Sequence, residues 1–414
     1  MSKKKTALLS LLVIVSLGIV IVVITSSLTP IFQPRSDVTP EHNETETTRI
    51  ATNDSSNQTA TTATTIMPTT IDIASTTSAF PFVQRWVAQY ENQQITSSGN
   101  VNVNYMTDRE IIVAEGSSGH SDLAIVGVPD ESNNTLYIPV SAQALAIVYN
   151  IPSFPDIPSG LRLNSTTLFL ILNGSITRWD DVAIKSLNPN LNLPDERIVV
   201  VHNSGDDFDN NNGNSSGSLM LLDQYLRHPR LSWPKNDTIT ASGPAELAEM
   251  VRKIPYSVGY VDFSYAVQTK MTYAALENSD GDYIIPSTQS IGRALDVALQ
   301  FHNYSTDRSP SQQQQEQLPP TLNASRIVNN SYPMVGLYYA SLLANNNNNN
   351  NDQEEEGSRR IGALLDFVKW IISESGGQQT LLEVQYPPIY PGNEQLATYA
   401  RMTMNIIQKS LNNQ

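Results

Sequence analysis

The 414-residue chain contains no cysteine. That absence excludes disulfides, thiolate metal sites, a cysteine nucleophile and a lipid-modified N-terminal cysteine. Positive charge is also in short supply: 25 Lys and Arg stand against 40 Asp and Glu, a formal net charge of −15 and a pI near 4.7. A chain of that sign argues against nucleic acid as a partner. Any anion it holds must be held by local dipoles against the global field. Histidine is sparse, and His42, His120, His202, His228 and His302 are scattered with no H-E-x-x-H pair. Gly213-Asn214-Ser215-Ser216-Gly217 formally fits G-x-S-x-G, but a nucleophile elbow needs its serine directly after a strand. Here an Asn/Asp-rich insertion comes between. We therefore expect no catalytic residue, no metal site and no cofactor.

What the chain does have begins with an apolar run. Lys3-Lys4-Lys5 precede Ala7–Ile24, which is uncharged and close to the roughly 20 residues that span a bilayer. Cations on the short side keep that end in the cytoplasm, and no A-x-A-like cleavage site follows. Residues 1–30 are expected to form an uncleaved single-pass anchor in the cell membrane, with a cleaved signal and a secreted protein as the alternative. Either way the remainder lies outside the cell. Residues 31–70 are rich in Thr, Ser and Asn and read as a disordered stalk that cannot bury enough apolar surface to offset its ordering entropy. N-x-S/T sequons occur at Asn43, Asn53, Asn57, Asn133, Asn164, Asn173, Asn214, Asn236, Asn303, Asn323 and Asn329; in a secreted chain some carry glycans, while an Asn-rich sequence also makes sequons by chance. Gln312–Gln317 and Asn345–Glu356 read as solvent loops.

From near Ile71 the chain has enough apolar sequence for a large core. Phe80–Tyr90 has helical spacing, Val101–Tyr105 alternates like a strand, and Leu123–Val126 and Ala144–Tyr149 read as buried strands. Thr166–Leu172 reads as a helix closed by Asn173-Gly174. Asp180, after Trp179, reads as the N-cap of a helix Asp181–Leu187, which Asn188-Pro189 breaks. Ile198–Val201 is a short β-branched strand, and Asn214–Ser218 is a small, polar loop opening onto a helix Leu219–Leu226. Strand, Gly/Ser loop, helix start is an arrangement that offers free backbone N–H groups to an anion. The same serines could serve only as helix caps. Further on, Glu246–Lys253 and Ile361–Ile372 read as helices, the second amphipathic and ended by Gly376-Gly377.

Leu168-x-x-Ile171-x-x-Gly174-x-Ile176-x-x-Trp179-Asp180-Asp181, then Ile184-x-x-Leu187-Asn188-Pro189-x-Leu191-x-Leu193-Pro194, resembles the phosphate-binding proteins of ABC transporters. Ser257–Ala266 resembles that family's strand-and-turn segment. Ala144–Tyr149 and Tyr332–Leu343 resemble the strands that cross between its lobes. The resemblance implies an α/β, two-lobed periplasmic-binding-protein-like fold (type II), preceded by the N-terminal transmembrane helix and stalk. The domain at 71–414 would divide into one lobe of about 71–149 plus 331–414 and another of about 150–330, with no sheet continuous between Phe80–Tyr90 and Leu161–Leu226. The implied function is an extracytoplasmic solute-binding protein that closes on phosphate or a related oxyanion and presents it to an ABC transporter permease. The implied ligand residues are Thr77, Ser78, Thr107, Asn214, Ser216, Gly217 and Ser218. The sequence departs from the family pattern at several of them. Asn214 stands in place of a loop carboxylate, His202-Asn203 in place of an arginine, Gly127 in place of a second carboxylate, and Thr107-Asp108 in place of a longer glycine-serine loop. The alternative is therefore a membrane-tethered, glycosylated surface protein that kept the fold and lost tight phosphate binding.

Overall fold

The computed structural model describes residues 68–96, 101–108, 121–129, 135–152, 160–204, 217–227, 231–300, 319–343, 354–390 and 392–412. All of them belong to one compact unit, Thr65–Gln414. The anchor, nearly all of the stalk, Gln312–Gln317, and Asn214 to Ser216 lie outside the described residues. Among those described, no helix is long and apolar enough to cross a membrane.

The chain enters on β1 (Thr69–Thr76), two residues earlier than the stalk boundary expected from composition. Its alternation places Ile71, Ile73 and Ser75 in the interior. α1 (Phe80–Thr96) then buries Phe82, Val83, Trp86, Val87 and Tyr90, the stripe that helical spacing requires. Trp86 donates its Nε1–H to the Gly377 carbonyl at 2.7 Å, so the large ring enters the core without orphaning its polar atom. β2 (Val101–Asp108) and β3 (Leu123–Val126) run parallel to β1 on either side of it.

β4 (Thr135–Asn150) organises the remainder. Fifteen of its 16 residues are buried, and its two halves have different partners. Thr135–Ala144 pair antiparallel with β13 (Val335–Leu343), and Leu145–Asn150 pair antiparallel with β8 (Ser257–Asp262). The register slips once, opposite Tyr338 and Tyr339, at Pro139-Val140. Proline has no N–H to give the ladder, so a bulge is where it is tolerated. Two side chains use the carbonyls there: Tyr390 Oη donates to Pro139 O at 2.8 Å and Gln378 Nε2 to Val140 O at 3.0 Å.

After β4 come β5 (Arg162–Leu163), α2 (Ser165–Leu172), α3 (Val182–Leu187), β6 (Val199–Asn203), α4 (Gly217–Leu226), β7 (Thr238–Ala241) and α5 (Pro244–Lys253), then β8 and α6 (Phe263–Gln268). β9 (Ala275–Glu277), β10 (Tyr283–Ile284), α7 (Thr288–Ala298), β11 (Leu299–Gln300) and β12 (Thr321–Leu322) precede β13. α8 (Glu354–Ile371), α9 (Gln379–Glu383) and α10 (Glu394–Asn412) close the chain. The main sheet has the order β2-β1-β3-β13-β4-β8-β6-β7. Pairing thus runs from the strands beside α1 to β6 without a break, where the sequence leads us to expect no shared sheet. The reason is the length of β4: one extended segment carries a ladder on each half.

Local structure follows the sequence closely across 165–203. Asn164 caps α2, its side chain accepting from Thr167 N at 2.8 Å, and Gly174 takes φ +76° just past the helix end. The cap of α3 differs from expectation. It is Asp181, accepting from Ala183 N at 2.8 Å, and Asp180 instead pairs with Lys185 at 3.1 Å. Asp181 is the residue whose β-region backbone precedes the first helical one (φ −54°, ψ 144°), so its side chain is the one placed to reach back. α4 starts at Gly217, two residues before the expected Leu219. α8 starts at Glu354, inside the stretch expected to be a loop.

Candidate functional site

The parallel strands β2, β1 and β3 end together. Ser75 lies in register with Thr107 on one side and Ile125 on the other. Their carboxyl ends deliver Thr107, then Thr77-Ser78 leading into α1, and Gly127 just past β3. Crevices at the carboxyl ends of parallel strands, where connections diverge, are the usual ligand positions in such sheets. α4 brings its first turn to the same place. A Cβ built on Gly217 would lie 3.1 Å from Gln143 Nε2, 3.2 Å from Gln143 Oε1 and 3.5 Å from Gly127 Cα. A Cβ on Gly127 would lie 2.8 Å from Gln143 Oε1, so a side chain there would have to displace the Gln143 amide. Gln143 of β4 fills the space between the two glycines.

Gln143 is 2% exposed, and its Oε1 has no hydrogen-bond partner among the described residues. Gln143 and Ser78 lie near the Tyr338 hydroxyl and favour its ionised form. Tyr338 Oη donates to Asp262 Oδ2 at 3.2 Å, while Asp262 Oδ1 caps α6 by accepting from Ser264 N at 2.9 Å and Ser264 Oγ at 2.7 Å. Tyr386 donates to the Ser78 carbonyl at 2.9 Å. Burial pushes the Asp262 carboxyl up from 3.8 to about 6, against the hydrogen bonds of Ser264 and Tyr338, which favour its ionised form. Burial likewise raises the Tyr338 phenol well above its ordinary value, helped by the charge of Asp262.

The structure therefore draws Ser78 and Gly217, from opposite ends of the sheet, onto one buried polar chain. Gly217 and Ser218 lie in the first turn of α4, where backbone N–H groups have no intrahelical acceptor. Ser218 is half-buried, and Thr77 is exposed in the turn before α1. Thr107 sits at the exposed end of β2, one strand removed. Asn214 and Ser216 lie outside the described residues. Sequence reading missed Gln143, Tyr338 and Asp262. The signal for Gln143 was present, since Ser141-Ala-Gln143-Ala interrupts an otherwise apolar strand with two polar side chains on one face.

His202, where an arginine was expected, is turned to packing. It is buried, its ring stacks on Trp233 at 4.5 Å and 8°, and Trp233 stacks on Tyr260 at 6.0 Å. Arg85, Arg178, Arg197, Arg360 and Arg401 are each paired with carboxylates. A separate cavity of about 180 Å³ lies by α2, lined by Ile171, Gly174, Ile198, Pro234 and Lys235, with Arg197 paired to Asp237 at its edge. It is not part of the Gln143 site. Among the described residues no three His, Asp or Glu side chains converge as a metal would require.

Comparison with known proteins agrees with this architecture. The family described as "PBP superfamily domain" matches residues 47–375. The phosphate-binding protein PstS of Methanocaldococcus jannaschii is 27% identical over 337 residues, covering 74% of this chain and 80% of that protein. The phosphate-binding protein PstS of Pasteurella multocida is 32% identical over 231 residues, 53% of this chain and 64% of that protein, so less than two-thirds of its length is spanned. A high affinity periplasmic phosphate-binding protein (PfluDING), solved bound with phosphate, has a TM-score of 0.53 at 14% identity, covering 79% of this chain and 92% of that one. The resemblance first visible in Leu168–Pro194 thus extends through most of the sequence, and the chain belongs to the PBP superfamily.

Proposed function

We propose that this protein is the extracytoplasmic solute-binding component of an ABC-type phosphate or oxyanion uptake system. The observation that carries the reading is the convergence of the α4 amino terminus at Gly217 with the Ser78 turn around Gln143, at the carboxyl ends of parallel strands. Free N–H groups and hydroxyls there suit an anion, and the relatives named phosphate-binding proteins support phosphate as its class. We read 71–149 with 331–414 as one lobe and 150–330 as the other. β4 and β13 link them, and ligand contacts on both sides draw the two together. The partner is a transporter permease.

The test is calorimetric titration of the full chain with phosphate. Without the arginine, a charge-assisted contact worth roughly 1.5–3 kcal/mol is missing, which lowers affinity by about one to two orders of magnitude at about 1.4 kcal/mol per tenfold. Binding is expected to be weak and salt-sensitive. Gly217→Ala, whose Cβ would press on the Gln143 amide at 3.1 Å, is expected to weaken it by about a further tenfold. Phosphate binding untouched by that change would place the site elsewhere.

One observation favours a second reading. His202, stacked on Trp233, is no substitute for the missing cation, so the chain could be a membrane-tethered, glycosylated surface protein that kept the fold. Absence of heat with any oxyanion selects this reading.

Both readings place Ala7–Ile24 in a membrane. The full chain is expected to sediment with membranes, and deletion of residues 1–30 to release it. Recovery of a shorter soluble species starting near Ser27 would show instead that the segment is cleaved.

A further inference from the structure

The cavity of about 180 Å³ beside α2 joins an apolar wall to a charged lip. Ile171, Ile176, Ile198, Val200 and Pro234 line it, and all but the proline are buried in the core. It lies at the amino ends of β6 and β7, whereas α4 follows the carboxyl end of β6. At about 30 Å³ for each water in the liquid, such a space suits a molecule of about six non-hydrogen atoms.

The lip is a fastened loop. A Cβ built on Gly174 would lie 2.8 Å from Pro234 Cβ, so the end of α2 abuts the loop where it begins. At its other end Asp237, in the left-handed region at φ 56°, accepts from Val200 N at 2.9 Å through its carbonyl and from Arg197 through its carboxylate. Between these anchors stands Lys235, exposed and without an ion pair or side-chain hydrogen bond among the described residues. Arg197 reaches Asp237 through Nη2, which leaves its other guanidinium N–H groups to donate elsewhere. The charged residues of the cavity are thus Arg197, Lys235 and Asp237, one positive charge in excess within a chain of net charge −15.

We propose that this cavity binds a short, branched monocarboxylate of the isobutyrate class, its carboxylate on Lys235 and Arg197 and its hydrocarbon against the isoleucine and valine wall. A wholly polar anion such as phosphate has nothing to lay on that wall, and a neutral hydrocarbon gives Lys235 no partner. The inference is independent of the oxyanion reading above, since the two sites share no residue.

The experiment is saturation-transfer NMR of the full chain at constant ionic strength, read as the dissociation constants of isobutyrate, acetate and isobutyramide. Isobutyrate is expected to bind roughly tenfold more tightly than acetate, the order for two further buried carbons. Isobutyramide, of the same shape without the charge, is expected to bind roughly tenfold more weakly than isobutyrate. Lys235→Gln is expected to raise the isobutyrate constant roughly tenfold and to leave that of isobutyramide unchanged, while Lys235→Arg restores most of the affinity. Lys235 is exposed, so neither change disturbs the core. Lys270→Gln removes an exposed charge outside the cavity and is expected to change neither constant. Excess phosphate is expected to leave isobutyrate bound. Isobutyrate no tighter than acetate, an unchanged constant in Lys235→Gln, an equal loss in Lys270→Gln, or displacement by phosphate would each overturn the proposal. Failure of the chain to bind phosphate overturns only the oxyanion reading.

Discussion

Trp179→Ala is expected to destabilise the fold by about 3–5 kcal/mol, the range for removing a large aromatic from a packed core. The indole is 0% exposed, its Nε1–H donates to Tyr256 O at 2.9 Å, and its ring lies 6.2 Å from that of Tyr149. Truncation leaves a cavity and removes one of the two hydrogen bonds at the Tyr256 carbonyl, which keeps the one from Val199 N at 3.1 Å. Against a typical total of roughly 5–15 kcal/mol, that loss leaves a marginal protein. Val182, three residues on in the same motif, is 80% exposed, and Val182→Ala is expected to change stability by less than about 0.5 kcal/mol. Urea unfolding of the two variants beside the parent checks the contrast. A Trp179→Ala cost below about 1 kcal/mol would mean that the motif is not anchored through its tryptophan.

The second large effect is a dependence on pH. The Asp262 carboxyl titrates at about 6 in the fold against an ordinary value of 3.8. The folded state therefore holds its proton more tightly than the unfolded chain does. The resulting stabilisation is complete below about pH 3.8 and is lost as pH rises through about 6. At 1.36 kcal/mol for each tenfold, the loss approaches about 3 kcal/mol by neutral pH. The groups facing Asp262 are Ser264, Tyr338 and Tyr386, all uncharged, so the burial penalty is not offset by a cation. Asp262→Asn, fixed in the neutral form, is expected to gain about 3 kcal/mol relative to the parent between pH 3.5 and pH 7. Other carboxylates titrate in both proteins and drop out of the difference. A stability difference that stays flat across that window would mean that Asp262 is hydrated well enough to ionise normally.

Those two residues illustrate what was readable in the chain. Trp179 was legible because its neighbours are local signals: a glycine helix end, a cap, a proline stop. Asp262 was not, because nothing within a few residues announces that Tyr338, 76 positions later, will close over it. The same division runs through the candidate site. Gly217 and Ser218 stand out as small residues before an apolar helix, and Ser78 as a turn before another. Gly127 is noticeable only as a missing carboxylate, and its neighbour, the Gln143 amide that a Cβ there would meet at 2.8 Å, appears once β3 and β4 are both in place.

Composition, periodicity and turn chemistry, acting over ten residues or fewer, determined the α/β class, the positions of most helices and strands, and the absence of thiol chemistry, while the family came from the resemblance in Leu168–Pro194. Tertiary structure alone decided three things. It made β4 carry a ladder on each half and join the strands into one sheet order. It committed His202 to a stack of rings rather than to a charge. It also assembled Gln143, Tyr338 and Asp262 into a buried chain beside the helix terminus. The physical reason is common to all three. Strand partners, ring stacks and buried hydrogen bonds join residues remote in sequence, and their energies depend on burial and dielectric that exist only after the core has closed.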